Sequence, residues 1–232
     1  MASLFVSLTG IAETLAISAP TLIDAIRGRV TIERCDVRLR GWAKRLLDHA
    51  EVSRIVHNAE RAGTDEVFIL MSNHRSLYDV PLLIESFPRT LRMVTKRELF
   101  RVPIWGHAMR EAGFIEIDRA NRTRAKEAID VAKTRLGQGI NVWIAPEGTR
   151  SRSGHLGAFK SGGFRLALGT GFRVLPVAIR GTEKILPADG VRVTRGATVE
   201  LEFGHPIDPA AFGSAGRPAF TDCVRDAIQA ML

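Results

Sequence analysis

A histidine and an aspartate five residues apart, in Asn73-His74-Arg75-Ser76-Leu77-Tyr78-Asp79, stand directly after an apolar run that ends at Met71. Imidazole titrates near neutral pH, so it can take the proton from a hydroxyl that attacks a carbonyl. A carboxylate within reach fixes the ring's tautomer and stabilises the imidazolium that forms. On one regular helix, five residues turn two side chains about 140° apart, and they do not meet. They meet if His74 lies in a turn and Asp79 in the first helical turn after it, and Pro81 puts the helix start near Asp79. The plainer alternatives are a packed histidine and an aspartate that caps a helix. No serine sits in a Gly-x-Ser-x-Gly elbow, so direct attack by a substrate hydroxyl is the simpler scheme.

A second group of residues suits phosphate. Arg119 and Arg150 each follow a predicted strand end, and a guanidinium grips phosphate through two parallel bonds. Gly148 lets the backbone come close. Lys96 and Lys160 are further candidate contacts, with a solvated basic surface as the alternative. For Arg150 the alternative is an ion pair with Glu147 or Asp118.

The elements that would position these residues alternate. Short apolar runs at 67–71, 91–95, 114–117, 141–145 and 174–179 read as buried strands, and 52–57 and 198–203 as two more. Helices are expected over 80–86, 102–111, 164–168 and 218–232. Another begins after Asn121 and stops at Gly137 and Gly139. A long loop is expected over 146–161. Such alternation predicts an α/β fold, a mostly parallel mixed sheet flanked by helices. Ligands of such sheets bind beyond the carboxyl ends of the strands, and each motif above begins where a predicted strand stops.

Residues 1–50 form an N-terminal helical segment, and 51–232 the α/β domain. The stretch 1–27 is mildly apolar, but Glu13 and Asp24 interrupt it and Pro20 breaks it. It has no uncharged run of about 18 residues and no basic start, so neither a spanning helix nor a secretory signal is expected. Two short helices parted near Pro20 are predicted, with Phe5, Leu8, Ile11, Leu15 and Ile17 on one face. That face either packs on the core or lies in a membrane interface.

The net charge of +8 calls for an anionic partner. Aromatic residues are only 6%, with a single tyrosine, and no basic cluster is interleaved with them, which argues against nucleic acid. Cys35 and Cys223 are too few and too far apart for a disulfide framework or a metal site, as in a reducing cytosol.

Four stretches in order, Asn73-His74-x4-Asp79, Gly113-Phe114-Ile115-Glu116-Ile117-Asp118-Arg119, Pro146-Glu147-Gly148-Thr149-Arg150-Ser151 and Leu175-Pro176-Val177, resemble the motifs of the glycerolipid acyltransferases. That family includes the 1-acylglycerol-3-phosphate acyltransferases of bacterial phospholipid synthesis. The segments 96–106 and 159–162 look like the family's connecting stretches, and the resemblance spans about 52–205. Ala145 departs from it, because many members carry a bulky residue there. The resemblance implies His74 as general base and Asp79 as its partner. It implies that Arg119, Glu147, Gly148, Thr149 and Arg150 hold the acceptor's glycerol phosphate. It also implies acyl-CoA or acyl-carrier protein as donor, with no metal or prosthetic group. The expected product is phosphatidic acid, made on 1-acylglycerol 3-phosphate at the cytoplasmic, anionic face of a membrane by a peripheral or monotopic protein. Other acceptors would be another lysophospholipid, glycerol 3-phosphate or a lyso-aminolipid. The non-enzymatic alternative is a basic module that only binds membranes.

Overall fold

The structure is a computed structural model that describes residues 2–118, 121–213 and 215–232. In chain order the elements are β1 (Ala2–Ser3), α1 (Leu4–Ile26), α2 (Ile32–His49), β2 (Ser53–His57), β3 (Ile69–Ser72), α3 (Asp79–Ser86), β4 (Leu91–Lys96), α4 (Trp105–Glu111), β5 (Ile115–Ile117), α5 (Arg122–Gly137), β6 (Asn141–Ile144), α6 (Gly162–Thr170), β7 (Val174–Arg180), α7 (Thr182–Ile185), β8 (Val193–Thr194), β9 (Thr198–Phe203) and α8 (Arg217–Ala230).

Among the described residues, seven strands form one sheet in the order β2-β9-β7-β3-β6-β4-β5. All neighbours run parallel except β7 and β9. The fold is therefore the expected mixed, mostly parallel α/β sheet. β3 lies in the middle, with Met71 opposite Ile144 on one side and Pro176 on the other. Its period-two alternation feeds two cores. Phe68 and Leu70 face Leu47, Leu82 and Phe87 on the α2–α3 side. Ile69 and Met71 face Ala132, Phe164, Phe220 and Val224 on the α5, α6 and α8 side. Both faces are covered, which is why the parallel strands are apolar throughout.

The N-terminal stretch differs from expectation. It is one helix of 23 residues with Pro20 inside it, and by length and composition it could cross a membrane. A proline inside a helix costs about 3 kcal/mol. Tertiary contacts offset that cost. Asp24 accepts from Arg38 at 2.6 Å, Glu13 from Arg45 at 2.6 Å, and Thr14 from the Trp42 indole at 3.1 Å, all three donors lying on α2. The charges that were expected to interrupt the helix thus turn onto α2. Leu4, Phe5, Leu8, Ile11 and Leu15 are left exposed, while Ile17 packs on the core.

The helix expected over 102–111 starts later, at Trp105. Ile104 sits at φ 64°, ψ −63°, and the Trp105 N–H donates to Pro103 O at 2.7 Å, which closes a three-residue γ-turn. A β-carbon on Gly106 would come 2.2 Å from Phe100 O, so only glycine fits the return of the chain.

Candidate active site

The chain turns as soon as β3 ends. Asn73 anchors the turn on the neighbouring strand: its Nδ2 donates to Ile179 O at 2.7 Å, and its Oδ1 accepts from Ile179 N–H at 2.8 Å. Both faces of a buried amide are thereby satisfied by one β7 residue.

His74 follows, outside any helix, and α3 begins at Asp79, as the Pro81 signal implied. The chain folds back so that His74 Nδ1 lies 2.7 Å from Asp79 Oδ2. The same oxygen accepts the N–H groups of Arg75 at 2.8 Å and Ser76 at 3.0 Å. The other oxygen, Oδ1, accepts from the Thr182 hydroxyl. The carboxyl group is 0% exposed, yet four donors surround it, as a buried charge requires. A carboxylate only accepts, so Nδ1 must donate, and in the neutral ring the lone pair stands on Nε2. The imidazole side chain is 16% exposed, so the pair is sealed at the carboxylate and open at the ring. Trp143 of β6 packs against the ring edge-to-face, with centroids 5.3 Å apart and planes at 86°. Its indole N–H donates to Ser72 Oγ at 2.9 Å, which holds the ring platform in place.

The loop after β6 comes to the same turn. Glu147 Oε1 accepts the His74 N–H at 3.1 Å, and Oε2 accepts the Gly157 N–H at 2.8 Å. The Ser151 N–H donates to His74 O at 2.7 Å. Glu147 is 6% exposed. Its oxygens are bonded to backbone, so in this structure it ties two loops together. Gly148 has φ 76°, which favours glycine. Thr149 is exposed and Arg150 half-buried. Neither suggested ion pair of Arg150 forms: Glu147 is bonded as above, and Asp118 faces Arg97 at 2.8 Å and Arg124 at 3.7 Å. Among the described residues Arg150 has no ion pair, although it adjoins the residue bonded to His74 O.

Lys96 ends β4 and faces Glu98 at 3.6 Å, largely exposed. Lys160 is exposed, and its N–H donates to Pro146 O at 2.7 Å. Arg119 lies outside the described residues. β3, β6, β4 and β5 are consecutive neighbours, so the residues that follow their ends share one edge of the sheet. Strand spacing of about 4.8 Å puts the β6 loop next to His74 and the end of β4 about 10 Å along. Sequence reasoning missed Thr182, Asn73 and Trp143 as supports. Thr182 follows β7, a direct neighbour of β3, and the rule that sites lie beyond strand ends pointed to it.

An imidazole held by a buried carboxylate stands on the carboxyl edge of a mostly parallel sheet, the edge where α/β proteins of this kind bind their ligands. The chain belongs to the acyltransferase family, whose model matches residues 53–180, from the start of β2 to the end of β7. It is 32% identical over 145 residues to the chloroplastic 1-acyl-sn-glycerol-3-phosphate acyltransferase LPAT1 of Arabidopsis thaliana, covering 62% of this chain and 40% of that protein. It is 30% identical over 171 residues to the human 1-acyl-sn-glycerol-3-phosphate acyltransferase alpha, covering 73% of this chain and 60% of that protein. The chain therefore spans less than two thirds of either relative. The crystal structure of the 1-acyl-sn-glycerophosphate acyltransferase PlsC from Thermotoga maritima superimposes with a TM-score of 0.80 at 27% identity, covering 99% of this chain and 95% of that one.

Proposed function

We propose that the chain transfers a fatty acyl group from acyl-CoA or acyl-carrier protein to the free hydroxyl of 1-acylglycerol 3-phosphate, giving phosphatidic acid. The observation that carries the reading is the His74 Nδ1–Asp79 contact of 2.7 Å, which leaves Nε2 free. In the first step the acceptor hydroxyl gives its proton to Nε2 while its oxygen bonds to the thioester carbonyl carbon. In the second, the carbon–sulfur bond breaks and the departing thiolate takes the proton back from the imidazolium. Atoms and charge balance with no cofactor. Gly148, Thr149, Arg150 and Arg119, with Lys96 and Lys160, receive the acceptor's phosphate, and Glu147 holds the loop that carries Arg150.

The reaction takes place at the cytoplasmic face of a membrane. α1 lies in the interface rather than across it, because Glu13 and Asp24 are paired with α2 while the opposite face is apolar. The test is to incubate the protein with each donor and a panel of lysolipids, following free thiol and lipid product. Thiol release that needs 1-acylglycerol 3-phosphate supports the reading. Release without any acceptor, or faster with an acceptor that lacks phosphate, overturns it.

A further inference from the structure

At the other edge of the sheet, where the strands begin, lies a cavity of about 180 Å³. Thr31, Cys35, Arg92, Glu111, Gly113 and Arg135 are among its walls. They come from the start of α2, the start of β4, the turn into β5 and the last turn of α5. Four residues of β4, about 13 Å, separate Arg92 from Lys96 on the edge that carries His74.

Two guanidinium groups converge here. A β-carbon built on Gly113 would lie 3.6 Å from Arg135 Cζ and Nη2 and 3.6 Å from Arg92 Nε. Like charges this close repel unless an anion or carboxylate stands between them. Arg92 is 1% exposed, and its Nη1 donates to Asp36 Oδ1 at 2.6 Å. Its Nε donates to Ala112 O. Among the described residues, Nη2 of Arg92 and Nε of Arg135 have no hydrogen-bond partner. Asp36 is shared, its Oδ1 accepting from Arg92 Nη1 at 2.6 Å and its Oδ2 from Thr90 Oγ1 at 2.5 Å. Glu111 is exposed and forms no ion pair with either arginine among the described residues. The N-terminus of the 18-residue α2, at Thr31 and Ile32, adds its positive dipole end to the same wall.

We infer that this cavity binds a small phosphate-bearing ligand. Buried donors demand an acceptor, and a tetrahedral oxyanion can accept from both arginines at once while it screens their repulsion. The volume admits a phosphate with a few carbons attached. Occupancy joins the start of α2 to β4, and so links the N-terminal helix pair to the strand that ends in Lys96.

The test titrates inorganic phosphate, and in a second arm glycerol 3-phosphate, into the full chain at constant ionic strength. Nitrogen–proton correlation spectra report the Gly113 amide and the Arg135 Nε–H. Both signals are expected to shift saturably with half-saturation near or below about 1 mM. The Arg150→Gln variant, altered at the other edge of the sheet, should show the same shifts. Arg135→Gln, a half-buried position at a helix end, should abolish the Gly113 shift without lowering Tm in phosphate-free buffer. Glu111→Gln should tighten binding severalfold. Tighter binding of glycerol 3-phosphate than of phosphate identifies a monoester as the ligand, and the reverse identifies the free anion. The inference is overturned if the Gly113 shift does not saturate, if acetate reproduces it equally, or if it survives Arg135→Gln unchanged.

Discussion

His74 Nδ1 and Asp79 Oδ2 lie 2.7 Å apart, and the oxygen that holds the ring also holds the backbone N–H groups of Arg75 and Ser76 between them. The turn is thus closed on its own carboxylate. Ring orientation and loop conformation share one anchor, so the imidazole cannot drift without the loop opening. This pairing allows the roles of its neighbours to be separated by experiment.

His74→Ala removes a side chain that packs against Trp143 and donates to Asp79, while the backbone bonds of the residue are independent of the ring. The fold should persist, with an unchanged circular dichroism spectrum. Acceptor-dependent thiol release should fall by roughly 10²–10⁴. A folded variant that keeps more than about a tenth of the activity would remove His74 from the role of base.

Thr182 acts through Asp79. Its hydroxyl is the donor to Oδ1, deep under the site. Thr182→Val keeps the shape and leaves a buried carboxylate oxygen without its donor, at a cost of about 1–3 kcal/mol. The expected result is a fall in kcat of roughly tenfold with KM for both substrates little changed, and recovery in Thr182→Ser. Wild-type kcat in the valine variant would show that Oδ1 needs no partner.

Glu147 and Arg150 come from one motif but should fail differently. Both oxygens of Glu147 accept backbone N–H groups, so Glu147→Gln turns an amide NH₂ toward a donor. Stability should drop by about 1–3 kcal/mol, and Tm by roughly 2–4 °C per kcal/mol. Arg150 has no ion pair to lose among the described residues, so Arg150→Gln should leave Tm alone. It should raise KM for 1-acylglycerol 3-phosphate about tenfold or more. A Tm loss in the arginine variant without a KM effect would recast Arg150 as structural.

Much of this arrangement was legible because strong local signals agreed. Pro81 set the start of α3, and that alone decides that a histidine and an aspartate five apart can touch. The continuous apolar runs of β3 and β7 announced strands buried on both faces. Other features depend on partners far along the chain. Thr182 meets Asp79 across 103 residues, and no spacing rule reaches that far. Pro20 argued for a helix break, and the Arg38, Arg45 and Trp42 contacts on α2 overrode it. The antiparallel entry of β9 is a matter of chain path, which period-two apolarity does not encode. The basic residues Arg38 and Arg45 of α2 are spent on Asp24 and Glu13, partners that the spacing along α2 does not show.

Those ion pairs make α1 docking sensitive to acid. The hydrogen bond from Arg45 holds the Glu13 carboxyl below the usual range, and that from Arg38 does the same for Asp24. A carboxylate depressed in the folded state contributes stability above its unfolded value. That contribution is lost as pH falls through the folded one. Docking should therefore weaken as pH falls below about 4. Trp42, bonded to Thr14 of α1, reports it. Its emission should shift red in that window, and the change should be absent in Trp42→Phe. A shift centred near pH 6–7 would implicate a histidine instead.

The length of α1 allows it to cross a bilayer, so its placement needs a measurement that separates lying from spanning. A helix of 23 residues is about 34 Å long, close to the hydrocarbon thickness. To span, it would have to leave α2 and carry Glu13 and Asp24, stripped of Arg45 and Arg38, into or near the membrane, where unpaired charge is costly. To lie flat, it keeps both pairs and buries Phe5, Leu8, Ile11 and Leu15, which already point outward. Flat placement predicts that a quenchable probe at Leu15 sits as shallow as one at Phe5, about 5–10 Å into the interface. Spanning predicts Leu15 near the bilayer centre. Flat placement also predicts that Phe5→Ser weakens vesicle binding by about 1–2 kcal/mol, roughly 5–30-fold, and that Leu8→Ser compounds the loss. Turnover of a short-chain, water-soluble acceptor should fall far less, because that acceptor does not have to be drawn from the vesicle surface. A deep Leu15 probe, or vesicle binding indifferent to both serines, would detach α1 from the membrane surface.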